Sequence, residues 1–197
     1  MYIEGLLVCI NFGDFLASTL PRNRPNFDHL VIVTSPEDKR TRLLARKYDC
    51  QIVYTTRHEQ PNNKFNKAKA INDGLGACTK KGWVVLLDAD VALSTNFKLD
   101  IEGQINLATK QDGEEVNLTV YGLHRYMCWS RSEWRRFLKT GKHKWKLDKE
   151  RRFSQAPAGY FQMWHIKTCE KSYPENYPLS RPENILGASH GDIAFAK

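Results

Sequence analysis

In the stretch Gly82–Leu93, "GWVVLLDADVAL", five consecutive apolar residues, Trp83 to Leu87, run directly into two aspartates separated by one alanine. An apolar run of this kind, with no polar alternation, predicts a strand of a parallel sheet covered on both faces. Asp88 and Asp90 then fall where that strand meets its loop. Carboxylates at the edge of a core are costly unless they are paired, hydrogen-bonded or bound to a metal. The sequence must supply a partner for them.

The segments before this strand alternate in the same style. "IEGLLVCI" (Ile3–Ile10), "HLVIVTS" and "QIVYTT" (Gln51–Thr56) read as further buried strands. Between the second and third, "SPEDKRTRLLARKYD" carries helix-start features: Ser35 as N-cap, Pro36 in the first turn, Glu37 and Asp38 near the positive end of the dipole. "KFNKAKAINDGLGAC" places Phe65, Ala68, Ile71 and Leu75 at helical spacing, with Gly74 or Gly76 near its end. Strand and helix in alternation predict an α/β fold with a mainly parallel central sheet flanked by helices. Later, "KQDGEE" reads as a turn, Val116–Leu123 as a strand, "SRSEWRRFLK" as a short basic helix and "PAGYFQMWHI" as another strand.

At 197 residues the chain fits one domain with its own core. The expected division is a ligand-binding half, 1–93, and a more variable half, 94–197. The N-terminal "MYIEGLLVCINFGDFL" has no cationic n-region, and no apolar run reaches membrane-spanning length, so a cytoplasmic protein without a transmembrane segment is expected. Five scattered cysteines without a CxxC pair predict free thiols rather than a disulfide framework. The net charge is +8, and segment 131–152 carries +7 of it, with ten Lys/Arg against three acids. Trp129, Trp134, Phe137, Trp145 and Phe153 are interleaved with these cations. Two readings stay open: aromatics that meet sugars, bases or phosphates, or the packed side of an amphipathic helix.

Residues i and i+2 of an extended segment share a side, so Asp88 and Asp90 can face one cation at the C-terminal end of a strand, where open α/β sheets bind ligands. Carboxylate oxygens suit Mg²⁺ or Mn²⁺. A Walker B strand is disfavoured because the chain has no GxxxxGK[ST], and a nucleotidyltransferase because "INFGDF" has a single glycine. A haloacid-dehalogenase-type phosphatase would place DxDx[TV] near the chain start; here the motif is mid-chain with Ala92 in the fifth position. A nucleic-acid-binding module, with the basic segment as the working part, remains the alternative of another class. So does an acidic capped turn with no function.

The combination of "FNKAKAINDGL" (Phe65–Leu75) with "VVLLDADV" resembles the GT-A nucleotide-sugar glycosyltransferases, in particular the large family typified by cellulose, chitin and hyaluronan synthases. Lys67, Ala68, Ala70, Asn72 and Gly74 fit the helix of that family, and Asp88 and Asp90 fit its DxD. "GASHGDIAF" (Gly187–Phe195) is similar to the family's C-terminal acidic motif, with Gly191 where Glu is usual.

The resemblance implies a GT-A (nucleotide-diphospho-sugar transferase) fold and a glycosyltransferase that uses a nucleotide-diphosphate sugar, with a UDP-sugar as the expected donor, and Mn²⁺ or Mg²⁺. It implies Asp88, Asp90 and His190 as metal ligands, and Asp192 as the base that deprotonates the acceptor hydroxyl, giving inversion. Asn11, Asp38, Lys67 and Asn72 are the expected donor contacts, the alternative for Asn11 and Asp38 being loop capping. Tyr160, Phe161, Gln162 and Trp164 are either a wall for donor sugar and acceptor, or core. Residues 1–93 are the expected nucleotide-sugar-binding half and 94–197 the acceptor-binding half, in whose basic segment, 131–152, Arg135, Arg136, Lys144 and Lys146 suit a polyanionic acceptor. A hydroxymethylated pyrimidine in DNA, as in some bacteriophage enzymes, is the specific expectation; a polysaccharide or lipid-linked glycan is the alternative.

Overall fold

The computed structural model describes residues 1–56, 66–118, 120–123, 126, 128, 130–145 and 161–166. Among these, the strands are β1 (Ile3–Val8), β2 (His29–Thr34), β3 (Gln51–Tyr54), β4 (Trp83–Asp88), β5 (Val120–Tyr121) and β6 (Phe161–His165). The helices are α1 (Gly13–Asn23), α2 (Lys39–Lys47), α3 (Lys67–Ala77), α4 (Phe97–Asp112) and α5 (Arg131–Thr140). One sheet has the order β3-β2-β1-β4-β6-β5. The first four strands of that order are mutually parallel, while β6 runs antiparallel to both β4 and β5. The mainly parallel α/β architecture read from the sequence is what forms.

Helices on both faces explain why β4 is apolar without alternation. Trp83, Val85 and Leu87 pack on one side with Leu16 and Leu20 of α1, Ala45 of α2, and Phe97 and Ile105 of α4. Val84 and Leu86 pack on the other with Leu6, Val33, Trp164, and Ala70 and Ile71 of α3. Gly74 lies inside α3 rather than at its end. A Cβ there would collide with the Leu6 and Val33 side chains, so glycine lets the helix lie close on the sheet. Gly82, at φ +75°, makes the left-handed turn into β4 against the Tyr2 carbonyl.

Three local expectations are corrected, and one helix is unforeseen. The N-cap of α2 is Asp38, not Ser35; its side chain accepts from the Thr41 amide, and Ser35–Asp38 form a turn before the helix. Helix α1 has no counterpart in the sequence pattern, because Pro21 sits within it. It forms because Leu16, Thr19, Leu20 and Asn23 give it a buried face, and tertiary packing outweighs the propensity of one residue. "KQDGEE" is not a simple turn, since α4 extends to Asp112 and a 3-10 segment follows over Gly113–Leu118. The strand expected over Val116–Leu123 is accordingly cut to the two residues of β5.

No helix among the described residues is long and apolar enough to cross a membrane. Cys9, Cys50, Cys78 and Cys128 are free thiols, as expected from their scatter. Burial pushes the Cys9 thiol up to about 11 and that of Cys78 to about 12, which keeps both protonated and inert at neutral pH.

Candidate functional site

The order of strands reverses between β1 and β4: the chain steps from β1 outward through β2 and β3, then returns to lay β4 on the other side of β1. A crevice at such a switch point, beyond the strands' C-terminal ends, is where open α/β sheets bind ligands. Val8 and Asp88 pair across that boundary as the last residues of their strands. Asp88 is half-buried and receives the Lys67 ammonium, Nζ to Oδ1, at 2.5 Å. Lys67 is the first residue of α3, whose N-cap Asn66 accepts from the Lys69 amide at 3.2 Å. The helix start and the strand end, separate in sequence, thus meet.

Asp90 lies beyond the strand. The Val91 amide donates to the Asp88 carbonyl at 3.1 Å, closing a turn, so the extended spacing argument stops at Asp88. The Asp90 side chain is exposed and makes no hydrogen bond or ion pair among the described residues. No group of three His, Cys, Asp or Glu among those residues could form a closed metal cage. The donor set on hand is two carboxylates, one paired with Lys67 and one uncommitted. That suits a hard divalent cation which completes its shell with water and phosphate oxygens.

Asn11 and Asp38 are brought together at the ends of β1 and β2. Asn11 has φ 62°, a conformation asparagine tolerates, and its amide donates to Asp38 Oδ2 at 2.7 Å. Asp38 is buried and also accepts from the Thr41 amide at 3.0 Å and from Thr34 Oγ1 at 3.5 Å. Burial alone would raise its pKa. The hydrogen bonds from Thr41, Asn11 and Thr34 together outweigh it and hold the carboxyl below its ordinary value. Asp38 therefore performs the capping role, and it fixes the loop that presents the exposed Asn11.

Asn72 is half-buried on α3, five residues after Lys67 and so about 140° around the helix from it. Phe161, Gln162 and Trp164 are buried within β6: Phe161 packs edge-on to Phe97 on one face, and Trp164 joins the core of the other. Of the two roles open to them, core is the one their positions realise. Tyr160, His190, Asp192 and Lys146 lie outside the described residues.

The basic segment starts at the site's edge. Arg131 donates to Asp14 in the first turn of α1 at 2.6 Å, and Arg22 near the end of α1 lies over the Phe137 ring at 5.0 Å. Helix α5 therefore runs alongside α1. Its start is fixed by Ser130, which caps the Glu133 amide at 3.1 Å. Trp134, Phe137, His143 and Trp145 pack on one another, Trp134 and Trp145 stacked at 6.1 Å and His143 and Trp145 at 4.8 Å. Arg135, Arg136 and Lys144 are exposed and without an ion pair among the described residues. Trp134 and Phe137 form the packed side of the helix, and Arg135 and Arg136 face solvent; Trp129 and Phe153 lie outside the described residues.

Sequence reasoning missed the residues behind the Asp88–Asp90 turn. Thr19, Asn23 and Asn26 are buried polar residues on and just after α1. Thr19 Oγ1 donates to the Ala89 carbonyl at 2.7 Å. Asn23 bridges Val91 O at 2.8 Å and the Leu93 amide at 2.9 Å. Asn26 bridges Ser94 O at 3.1 Å and the Lys98 amide at 3.2 Å. Their spacing of i, i+4, i+7 is visible in the sequence, but the helix carrying the first two is not.

Comparison with known proteins finds the same fold elsewhere. S. aureus TarS shares the fold at TM-score 0.61 and 12% identity, over 100% of this chain and 33% of that one. A mycobacterial protein follows at TM-score 0.52 and 16% identity, covering 84% of this chain and 54% of its own. Glucosyl-3-phosphoglycerate synthase from Mycobacterium tuberculosis, solved with uridine diphosphate, gives TM-score 0.45 and 18% identity over 64% and 45% of the two chains. The chain thus spans between a third and about half of the length of these structures. No curated protein matches its sequence at a significant level. The family model for glycosyl transferase family 2 matches residues 11–168, spanning the switch point, the Lys67 helix and the Asp88 strand. With its GT-A architecture, the chain belongs to glycosyl transferase family 2.

Proposed function

We propose that the chain transfers a sugar from a nucleotide-diphosphate sugar, a UDP-sugar, to an acceptor hydroxyl. The observation that carries this reading is the Lys67–Asp88 pair at the switch point, with the uncommitted carboxylate of Asp90 in the next turn. Asp90 and Asp88 would hold Mn²⁺ or Mg²⁺, whose charge offsets that building on the departing diphosphate. Lys67 supplies a second positive group there. Asn11, exposed beside the capping Asp38, meets the nucleoside, and Asn72 contributes from α3.

Asp192 takes the proton of the acceptor hydroxyl as its oxygen attacks the anomeric carbon and the bond to the diphosphate breaks on the opposite face. That sequence inverts the anomeric configuration. His190 would complete the metal site. The acceptor is a polyanion, with hydroxymethylated pyrimidine in DNA as the specific candidate, because the solvent-facing cations of α5 begin at the site's edge. The reaction is assigned to the cytoplasm, the host's if the chain is viral.

The test is a panel of UDP-, GDP- and TDP-sugars, each with and without Mn²⁺, read by thermal shift and by nucleotide release. A cognate donor at a hundred times its Kd should stabilise the protein by about 2.7 kcal/mol, and only with metal should it be hydrolysed slowly. If no sugar nucleotide shifts the melting curve or is cleaved in the presence of Mn²⁺, the reading fails.

A further inference from the structure

The turn that carries Asp90 is held by side chains from a different element. Thr19, Asn23 and Asn26 lie within 4% exposure, an unusual burial for three polar residues in register on one face. Buried polar groups must be satisfied; Thr19 and Asn26 each bond carbonyls of their own segment, and all three side chains also reach the backbone of residues 89–98. Thr19 holds Ala89, the residue between the two aspartates, and Asn23 holds both Val91 O and the Leu93 amide. Hydrophobic packing of Ala89 and Leu93 would anchor this stretch without fixing its backbone rotation. Directional hydrogen bonds at Ala89, Val91 and Leu93 do fix it.

We infer that Thr19 and Asn23 are positioning residues: they lock the turn after β4 so that Asp90 is presented to the metal–diphosphate in a single conformation. The inference rests on the donor-site reading above. A pre-ordered carboxylate binds its ligand without first losing backbone freedom, so loosening the turn weakens binding although no residue that touches the ligand has changed. A role confined to stability would lower the melting temperature and leave ligand affinity alone.

The variants are Thr19→Val, which keeps shape and removes the hydroxyl, Thr19→Ser, which restores it, and Asn23→Ala. Two measurements are made on each folded protein well below its melting temperature: calorimetric binding of UDP with Mn²⁺, and backbone amide exchange without ligand. Thr19→Val and Asn23→Ala should weaken Mn²⁺–UDP binding roughly 2- to 10-fold, the loss of one buried hydrogen bond. Thr19→Ser should return to the wild-type value. Amides of Val91 and Leu93 should exchange faster in Asn23→Ala, while those of Trp83–Leu87 stay protected. Should Asn23→Ala fail to fold, the Thr19 pair decides the matter. Wild-type affinity in Thr19→Val overturns the inference and leaves the donor site intact. Absence of Mn²⁺–UDP binding in the wild type itself removes the donor site, and the positioning role with it.

Discussion

Lys67 and Asp88, twenty-one positions apart, meet at 2.5 Å where helix α3 begins and strand β4 ends. Both side chains keep about a third of their exposure, so the pair adds little to stability and is open to exchange with a ligand. A divalent cation and the Lys67 ammonium compete for the same carboxylate. Lys67→Met should therefore tighten Mn²⁺ binding in the absence of nucleotide, while weakening the nucleotide sugar by roughly tenfold or more through the lost charged hydrogen bond. Titration of Mn²⁺ by spin resonance and of donor by calorimetry separates the two. Weaker binding of both would make Lys67 a structural support for Asp88 rather than its competitor.

Asp90 has no partner to lose among the described residues, and its side chain faces solvent. Asp90→Ala should leave stability within about 0.5 kcal/mol of wild type. Transfer should nevertheless be abolished, because the missing group is a metal ligand. Chemical denaturation and a nucleotide-release assay check the two halves. Normal turnover that still requires metal would place the cation elsewhere.

Asp192→Asn should cut turnover by about 10²–10⁴, the range for removal of a general base, with donor affinity little changed. Weakened donor binding with turnover intact would make Asp192 a donor contact and would withdraw the support for inversion. His190→Ala tests the remaining ligand separately, through a raised metal requirement.

How much of this is open to sequence reading depends on range. β4 is legible because its apolar run has one explanation, burial on both faces, and Lys67 is legible because a family pattern links it to Asp88. The partnership of Thr19, Asn23 and Asn26 with residues 89–98 is not. It joins segments some seventy positions apart, and Pro21 masks the helix that carries two of its members. Asp38 stands out by its position after β2, yet whether its carboxylate caps a helix or meets a ligand depends on where the Asn11 and Thr41 amides lie. Phe161 and Trp164 are ambiguous for a similar reason: an aromatic strand reads alike on a site wall and in a core.

Asp38→Ala should cost about 1–2 kcal/mol at neutral pH, the effect of removing an N-cap that here also holds Asn11. The folded carboxyl titrates below its ordinary 3.8. Its contribution is thus fully present above that value and lost as pH falls through the lower, folded one. Urea denaturation between pH 7 and pH 2 should show wild type and variant converging at the acid end. A gap that stays constant across that range would mean that the carboxylate's charge is irrelevant to the cap.

The exposed cations of α5 bear on the acceptor. Arg131 is committed to Asp14, and the aromatic rings are committed to one another, which leaves Arg135, Arg136 and Lys144 facing solvent beside α1. Cations that neutralise phosphates release condensed counterions, so binding of a nucleic acid must weaken steeply with salt. Charge reversal at Arg135, Arg136, Lys144 and Lys146 should reduce duplex DNA affinity and make its logarithmic salt dependence shallower by roughly one unit for each phosphate no longer neutralised. The same variant should bind the donor nucleotide normally, since Arg135 and Arg136 lie on α5 and Lys67 on α3. Filter binding across a salt series, alongside donor calorimetry, gives both readings. Flat, weak DNA binding in wild type and variant alike, or equal transfer to a neutral oligosaccharide, would remove nucleic acid as acceptor and leave the sugar-transfer site untouched.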